Sequence, residues 1–195
     1  ATLGLHKAQK DGSIFRTEED LKVVGCEDHI ERAKQAADKG ITLVKNTLDQ
    51  LPIRPETHKR IRLYYLEGEK GGLLGDSDSL QTIVKELESR GFEVTVNDGN
   101  TRVKGPTLKY REEVDAALVF SNVVGYGAEN NYRIKWKMAM SNEVPWYVHE
   151  VPTVFVSLNY TTHLTDVPMV KCYINAYKDT EITIKAVVDK IMGES

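Results

Sequence analysis

The sequence contains few cysteines and no long hydrophobic run, which argues against several classes of protein. Its 195 residues include two cysteines, Cys26 and Cys172, which lie far apart and belong to no CxxC or Cys/His cluster. Metal and redox motifs are therefore not indicated, and we expect both thiols to be free. No apolar run approaches the roughly 20 residues of a membrane helix, and no signal-peptide pattern opens the chain. We expect no membrane association.

An excess of charge of one sign is also missing. Lys and Arg number 26 against 29 Asp and Glu, which leaves a net charge of -3. Because nucleic-acid-binding proteins usually display a broad basic surface, we expect no nucleic-acid partner. The five histidines show no HExxH or comparable spacing, so we also expect no metal. Small molecules or proteins are the favoured partners.

The regular patterns that are present predict alternating helices and strands. Acidic residues in a first turn and Gly40 after the last turn predict a helix over Glu27–Lys39, and apolar residues at helical spacing predict two more, around 80–87 and 184–191. Short apolar runs predict strands at 41–44, 61–66, 92–96, 116–120, 153–157 and 169–174. This order predicts an α/β fold: a three-layer α/β/α sandwich with a mostly parallel, flavodoxin-like sheet and a crevice at the carboxyl ends of its strands.

The glycine-rich loop Gly68–Asp76 has some parts of a phosphate site, since a strand precedes it and a helix follows it. It contains neither GxGxxG nor GK[ST], and its acidic residues would repel a phosphate. We interpret the loop as a flexible turn and expect no cofactor. A nucleotide or flavin site at this loop is retained as a minor hypothesis.

Candidate ligand-binding residues follow two predicted strands. The long segment 121–150 contains ENNYR at 129–133, where Glu129, Asn130, Asn131 and Arg133 offer a carboxylate, two amides and a guanidinium. Such a set can bind sugar hydroxyls, although a solvated loop explains it equally well. Asn159 and His163 closely follow the predicted strand 153–157, so they are further candidates, although a hydrogen-bonded structural histidine is the commoner case.

The remaining polar and aromatic residues near these strands are predicted to be structural. Ser157 lies in VSLN rather than in a GxSxG elbow, which does not favour a nucleophile. Trp136, Trp146 and Tyr147 have the composition of a sugar-stacking surface, but packing against the domain is the more common use of such residues. From these residues alone, the reaction type does not follow.

Several segments nevertheless follow one another in a recognisable order. They are TLGL at 2–5, VGC at 24–26, AADK at 36–39, ITLVKN at 41–46, and VSLNYTTHLTDVP at 156–168 followed by YINAY and an amphipathic helix. In this order they resemble the C-terminal α/β domain of glycoside hydrolase family 3, particularly its β-N-acetylglucosaminidase (β-hexosaminidase) branch. The resemblance implies that residues 1–20 are a remnant of the last barrel helix and a linker, and that residues 21–195 are the C-terminal sandwich domain.

The resemblance also implies a function. In this family an N-terminal (β/α)8 barrel of the same polypeptide supplies the aspartate nucleophile of a retaining mechanism. The expected activity is exo-acting hydrolysis of terminal N-acetylglucosamine from glycans or cell-wall fragments, with the barrel and a carbohydrate substrate as partners. A retaining glycosidase needs two carboxyl groups about 5–5.5 Å apart, so we expect the present chain alone to be inactive.

The catalytic acid/base differs between the branches that the chain resembles. In the β-glucosidase branch a glutamate of this domain is the acid/base, often within Glu-Gly-x-Asp-Arg; Glu129 and Arg133 match that pattern, whereas Asn130 and Tyr132 depart from it. In the hexosaminidase branch a barrel His/Asp pair has that role. Glu129 is thus the catalytic candidate, and Asn130, Asn131, Arg133 and His163 are substrate-binding candidates. A β-glucosidase-type domain and a non-catalytic, flavodoxin-like sugar- or protein-binding module remain as alternatives.

Overall fold

The protein forms two compact units, residues 1–35 and 36–195, in a computed structural model that describes residues 3–12, 17–67, 78–99, 108–123, 132–136 and 143–194. The first unit contains helix α1 (Leu5–Asp11), a 3-10 helix (Glu18–Val23) and the beginning of α2 (Glu27–Gly40). Thr17 and Asp20 form a capping box at the start of the 3-10 helix. The predicted domain division at residue 20 stays a prediction.

The second unit is organised on a six-stranded sheet with the order β1-β6-β5-β4-β2-β3. Its strands are β1 (Thr42–Asn46), β2 (Arg60–Glu67), β3 (Glu93–Val96), β4 (Ala116–Asn122), β5 (Thr153–Ser157) and β6 (Cys172–Asn175). All neighbouring strands are parallel except β1, which pairs antiparallel with β6. The five parallel strands follow the 2-1-3-4-5 order of flavodoxin-like sheets. The predicted mostly parallel α/β fold is confirmed.

One predicted strand begins later than expected. The apolar run from Met169 predicts a strand over 169–174, but β6 begins at Cys172. Pro168 precedes this run, and the backbone N–H of Val170 donates to the carbonyl of Val167, so the chain is still turning at these residues. The backbone pairs with the neighbouring strands only after this turn, from Cys172 onward.

The two faces of the sheet are covered by different elements because successive side chains of a strand point to opposite faces. On one face, α3 (Ser79–Ser89) and α5 (Glu181–Met192) pack on β4 through a cluster that includes Leu118, Phe120, Ile83, Leu87, Val187 and Ile191. On the other face, α4 (Leu108–Glu113) and the 3-10 helix Trp146–His149 cover Ala117 and Val119. Tyr147 is fully buried there, and Trp136 and Trp146 pack against the same cluster.

Helix α5 has defined ends. The hydroxyl of Thr180 accepts a hydrogen bond from the Thr183 N–H at 3.3 Å, and Gly193 ends the helix with a φ of 72°, which favours glycine. Arg90, at the end of α3, joins the two helices through Asp189 at 2.5 Å. Within the described part of the chain, no helix has the length and apolarity that a membrane span requires.

Candidate functional site

Buried polar residues lie at the carboxyl ends of the central strands. Strand β4 ends with Ser121 and Asn122, β5 with Ser157 and β6 with Asn175, and all four are buried. Since Ser121 and Asn122 are consecutive, their side chains point to opposite faces of the sheet. Two separate groups of polar side chains result at this carboxyl edge, and this is the edge at which flavodoxin-like sheets bind ligands.

The first group, which we call the asparagine cluster, consists of Tyr65, Ser79, Asn122, Asn159 and Asp179. The Nδ2 of Asn122 donates to the Tyr65 hydroxyl at 2.9 Å and to Asp179 Oδ2 at 3.1 Å, while its Oδ1 accepts from Asn159. Tyr65 belongs to β2 and Asn122 to β4, so this cluster lies where the strand order reverses.

Helix α3 also reaches the asparagine cluster. Ser79, the first residue of α3, donates through its hydroxyl to Asp179 Oδ2 at 3.1 Å. Burial raises the pKa of Tyr65, and hydrogen bonds with Asn122 and Ser79 oppose that shift only in part. The phenol is therefore neutral at physiological pH. The Asp179 carboxylate contacts the uncharged donors Asn122 and Ser79 through Oδ2, while its Oδ1 lies 3.6 Å from the Lys178 ammonium.

The second group, the histidine cluster, consists of Ser121, Tyr132, Ser157, Tyr160 and His163. His163 has no solvent exposure. Its Nδ1 lies 2.7 Å from the Ser157 hydroxyl and 3.3 Å from that of Ser121, and its Nε2 lies 2.8 Å from the carbonyl oxygen of Tyr132. Both ring nitrogens thus contact protein atoms.

These contacts define the protonation of the His163 ring. A carbonyl oxygen only accepts hydrogen bonds, so the proton is assigned to Nε2, which donates to Tyr132. Burial lowers the pKa of His163, while the bond to Tyr132 and the nearby carboxylate of Asp166 oppose this shift. The neutral ring therefore accepts at Nδ1 from one of the two serine hydroxyls, and the single proton of Ser157 goes either to this nitrogen or to the backbone carbonyl of Tyr160.

Two aromatic rings lie beside this histidine. Tyr132 and Tyr160 stack with their ring centroids 4.1 Å apart and their planes at 20°. The Ser157 hydroxyl donates to the backbone carbonyl of Tyr160, and His163 donates to that of Tyr132. Tyr132 belongs to the long segment after β4, whereas Tyr160 follows β5. The histidine cluster therefore joins two separate loops.

The predicted site residues have different outcomes. Glu129, Asn130 and Asn131 lie outside the described residues, as does the Gly68–Asp76 loop, so their roles stay predictions. Arg133 forms an ion pair with Asp166, which also accepts from the N–H of Ile134 at 3.2 Å. The substrate-binding roles of Arg133 and His163 stay predictions as well.

Sequence reasoning selected only Asn159 from the asparagine cluster, did not identify Ser121, and interpreted Ser157, which contacts His163, as a structural residue. A signal was available, because Ser121 and Asn122 are the first polar residues after the apolar run AALVF. Asp179 and Ser79, by contrast, come from segments distant in sequence. Within the residues that the structure describes, no group of three or more His, Cys, Asp or Glu side chains is placed to hold a metal ion.

Comparison with known proteins identifies relatives of this chain, although no family model matches it. The chain is 32% identical over 200 residues to a protein named β-N-acetylglucosaminidase/β-glucosidase from Cellulomonas fimi, a match that covers 100% of this chain and 35% of that protein. The structure named β-glucoside phosphorylase BglX is 30% identical, with a TM-score of 0.79 over 92% of this chain and 33% of that one. The chain matches glycoside hydrolase family 3 proteins.

The match to this family concerns only part of each relative. The chain spans about a third of the length of the proteins named above. A family 3 β-N-acetylglucosaminidase from Paenibacillus sp. str. FPU-7 is 15% identical, with a TM-score of 0.53 over 88% of this chain and 31% of that one, and supports the fold alone. The resemblance to the family is therefore confirmed, while the distinction between its hexosaminidase and glucosidase branches is open.

Proposed function

We propose that this chain is the C-terminal domain of a retaining, exo-acting β-N-acetylhexosaminidase, which removes terminal N-acetylglucosamine from glycans or cell-wall fragments. The observation that carries the proposal is the match along the whole chain to the Cellulomonas fimi protein, whose name gives N-acetylglucosaminidase first and β-glucosidase second. The nucleophile would lie on an N-terminal (β/α)8 barrel, and this domain would complete one side of the sugar pocket.

Two carboxylates that the structure describes near the carboxyl edge support the assignment of the nucleophile to another domain. Asp166 pairs with Arg133, and Asp179 accepts hydrogen bonds from Asn122 and Ser79. A retaining mechanism needs two carboxyl groups about 5–5.5 Å apart across the scissile bond, one of them free to attack the anomeric carbon. Carboxylates already held by protein groups suit the positioning of other residues better than nucleophilic attack.

The proposal is tested by comparing the natural polypeptide that contains this chain with the 195-residue chain alone. Both are assayed on p-nitrophenyl N-acetyl-β-glucosaminide and on p-nitrophenyl β-glucoside. We expect turnover of the first substrate by the natural polypeptide and none by the chain alone. Robust turnover by the isolated chain would reject the two-domain assignment, whereas a strong preference for the glucoside would favour the β-glucosidase type, with Glu129 as acid/base.

A binding module is the alternative from another class, and calorimetry distinguishes it. If the isolated chain binds N-acetylglucosamine with useful affinity and the natural polypeptide has no glycosidase activity, the non-catalytic module replaces the enzyme. Binding that requires the rest of the polypeptide supports the enzyme. A matched titration with glucose measures the contribution of the acetamido group in either case.

Phosphorolysis is a second candidate reaction, because two structures named β-glucoside phosphorylase BglX are 30% and 32% identical to the chain, with TM-scores of 0.79 and 0.76. In that reaction a phosphate oxygen bonds to the anomeric carbon, the glycosidic C–O bond breaks, and the departing alcohol takes up a proton. The assay is therefore repeated with inorganic phosphate. A sugar 1-phosphate product would identify a phosphorylase, and free sugar at an unchanged rate would identify a hydrolase.

A further inference from the structure

The histidine cluster connects two loops through a single buried side chain. The His163 Nε2–H donates to the backbone carbonyl of Tyr132, and the neighbouring Ser157 donates to the backbone carbonyl of Tyr160. Ser157 Oγ also lies 2.7 Å from the acceptor nitrogen Nδ1 of His163, so the single Ser157 proton is shared between this nitrogen and the Tyr160 carbonyl. Both tyrosine backbones are therefore held from beneath by one pair of buried residues.

The rest of the short 3-10 helix His163–Thr165 strengthens this attachment. Asp166, the residue that follows this helix, forms an ion pair with Arg133 and accepts a hydrogen bond from the Ile134 N–H at 3.2 Å. Ile134 is itself buried in the core beneath it. Residues 132–134, in the long segment after β4, are thus bound to residues 163–166, which follow β5.

This attachment differs from ordinary core packing. A histidine that only filled space would need a partner for each buried nitrogen, and any partner would suffice. Here the two nitrogens have distinct tasks: Nε2 holds a different loop, whereas Nδ1 contacts the ends of β4 and β5. Since Tyr132 is 36% exposed while His163 is fully buried, the histidine acts through the tyrosine and does not reach solvent.

We propose that His163 is a positioning residue, which fixes the stacked pair Tyr132 and Tyr160 at the carboxyl edge so that this edge presents one rigid aromatic surface to the substrate. The part of this inference that concerns substrate rests on the proposed function. The fixed pair itself does not, because it follows from the hydrogen bonds and the ring geometry alone. The two parts are therefore tested by different measurements.

Two variants of His163 distinguish the contact made by Nε2 from the contacts made by Nδ1. In His163→Gln the side-chain amide nitrogen takes a position similar to that of Nε2 and still donates toward Tyr132. In His163→Asn the shorter amide resembles the Nδ1 side of the ring, contacts the serines and does not reach Tyr132. Both variants place an uncharged amide in the same buried site, so each is the control for the other.

The first measurement is hydrogen–deuterium exchange on the natural polypeptide that contains this chain. We expect peptides covering residues 132–136 to exchange about tenfold faster in His163→Asn than in His163→Gln, which corresponds to the loss of one buried hydrogen bond. Peptides from β4 (Ala116–Asn122) should exchange alike in the two variants. Equal exchange at residues 132–136 in both variants would overturn the proposal, whether the common rate is fast or slow.

The second measurement is kinetic. We expect His163→Asn to raise KM for the aryl glycoside several-fold while kcat changes little, and His163→Gln to retain most of the original KM, since the lost effect is on substrate binding. Unchanged KM in His163→Asn, despite faster exchange, would overturn the positioning role. If the natural polypeptide has no glycosidase or phosphorylase activity, the proposed function fails, and the exchange measurement alone decides whether His163 fixes the tyrosine pair.

Discussion

The two ends of the parallel sheet are constructed from different kinds of polar group. At the amino end, Arg60 begins β2 and Asp115 precedes β4; their side chains pair at 2.7 Å, and the Arg60 N–H donates to the same carboxylate at 2.7 Å. Both side chains remain partly exposed. At the carboxyl end, Asn122, Ser157 and His163 are buried, and their hydrogen bonds are made mainly by uncharged groups.

This difference indicates which end is suited to function. A partly exposed ion pair is screened by water, so the Arg60–Asp115 pair joins two strands and adds only modest stability. Buried networks are rigid, and their disruption leaves unpaired polar groups, which is costly. Rigid positioning of side chains is what a binding site requires, and the carboxyl edge is where open α/β sheets bind ligands.

The largest effect should follow from a charge placed in the asparagine cluster. Asn122→Asp removes the donor that lies 3.1 Å from Asp179 and puts a second carboxylate beside it. We expect the free energy of unfolding to fall by about 2–3 kcal/mol at pH 7, because a buried hydrogen bond is lost and two like charges approach each other. Urea unfolding monitored by circular dichroism measures this change.

The matched control for that variant is Asn97→Asp. Asn97 follows β3, and its backbone N–H donates to the carbonyl of Leu63, a bond that the substitution leaves in place. We expect a change below about 0.5 kcal/mol for this control. At about pH 4 the difference in free energy of unfolding between the two variants should be smaller. The reason is that one of the two carboxyl groups, that of Asp179 or the one introduced by Asn122→Asp, takes up a proton. Equal destabilisation by the two variants would refute the buried network.

A smaller effect should appear in the pH dependence of stability. Burial lowers the pKa of His163 from its usual value of 6.5, so on acidification the unfolded chain takes up this proton first. His163 therefore stabilises the fold above about pH 6.5, and the stabilisation is lost as the pH falls toward the folded pKa, with a slope of at most about 1.4 kcal/mol per pH unit. Asp166 is the charged neighbour that opposes this shift.

His163→Gln provides the comparison for this titration. The glutamine side chain does not titrate between pH 7 and pH 5. The free energy of unfolding of His163→Gln should therefore vary less over this range than that of the natural sequence. Thermal unfolding at half-unit pH intervals measures both proteins. Parallel curves would show that His163 does not titrate differently in the folded and unfolded chains.

The smallest effect is expected at the amino end. The hydrogen bond from Arg60 lowers the pKa of Asp115 below its usual value of 3.8. Its stabilising contribution is therefore present above about pH 3.8 and disappears as the pH falls below that value. Asp115→Asn should lower the urea midpoint slightly at pH 7, by less than Asn122→Asp does, and the difference from the natural sequence should shrink as the pH falls below 3.8. A loss at pH 7 larger than that of Asn122→Asp would reverse the comparison of the two ends.

Much of the fold was predictable because it depends on local periodicity. The short apolar runs specified the strands of a parallel sheet, and Gly40 and Gly193 marked helix ends near the observed ones. The late start of β6 was not predictable from hydrophobicity, since Met169 and Val170 are as apolar as strand residues but lie in a turn. The segments that resemble the family could also be recognised, and relatives at 32% and 30% identity match 100% and 92% of the chain.

The candidate site was only partly predictable. His163 could be selected because it follows a buried strand, and Arg133 because it lies in a polar stretch of a long segment. Their partners could not, because Tyr132 and Asp166 are separated from them by about thirty residues of chain that the sheet folds together. The tautomer of His163 depended on the Tyr132 carbonyl, a backbone group that no side-chain pattern reveals.

The sequence by itself determined the order of helices and strands, the absence of a dominant charge and the family that the chain resembles, because these depend on neighbouring residues and on composition. Only the tertiary structure decided that Ser121 and Asn122 serve two clusters on opposite faces, and that His163 joins the loops after β4 and β5. The physical reason is that hydrogen bonds between distant segments require a register and a strand order, which arise only when the whole sheet has formed.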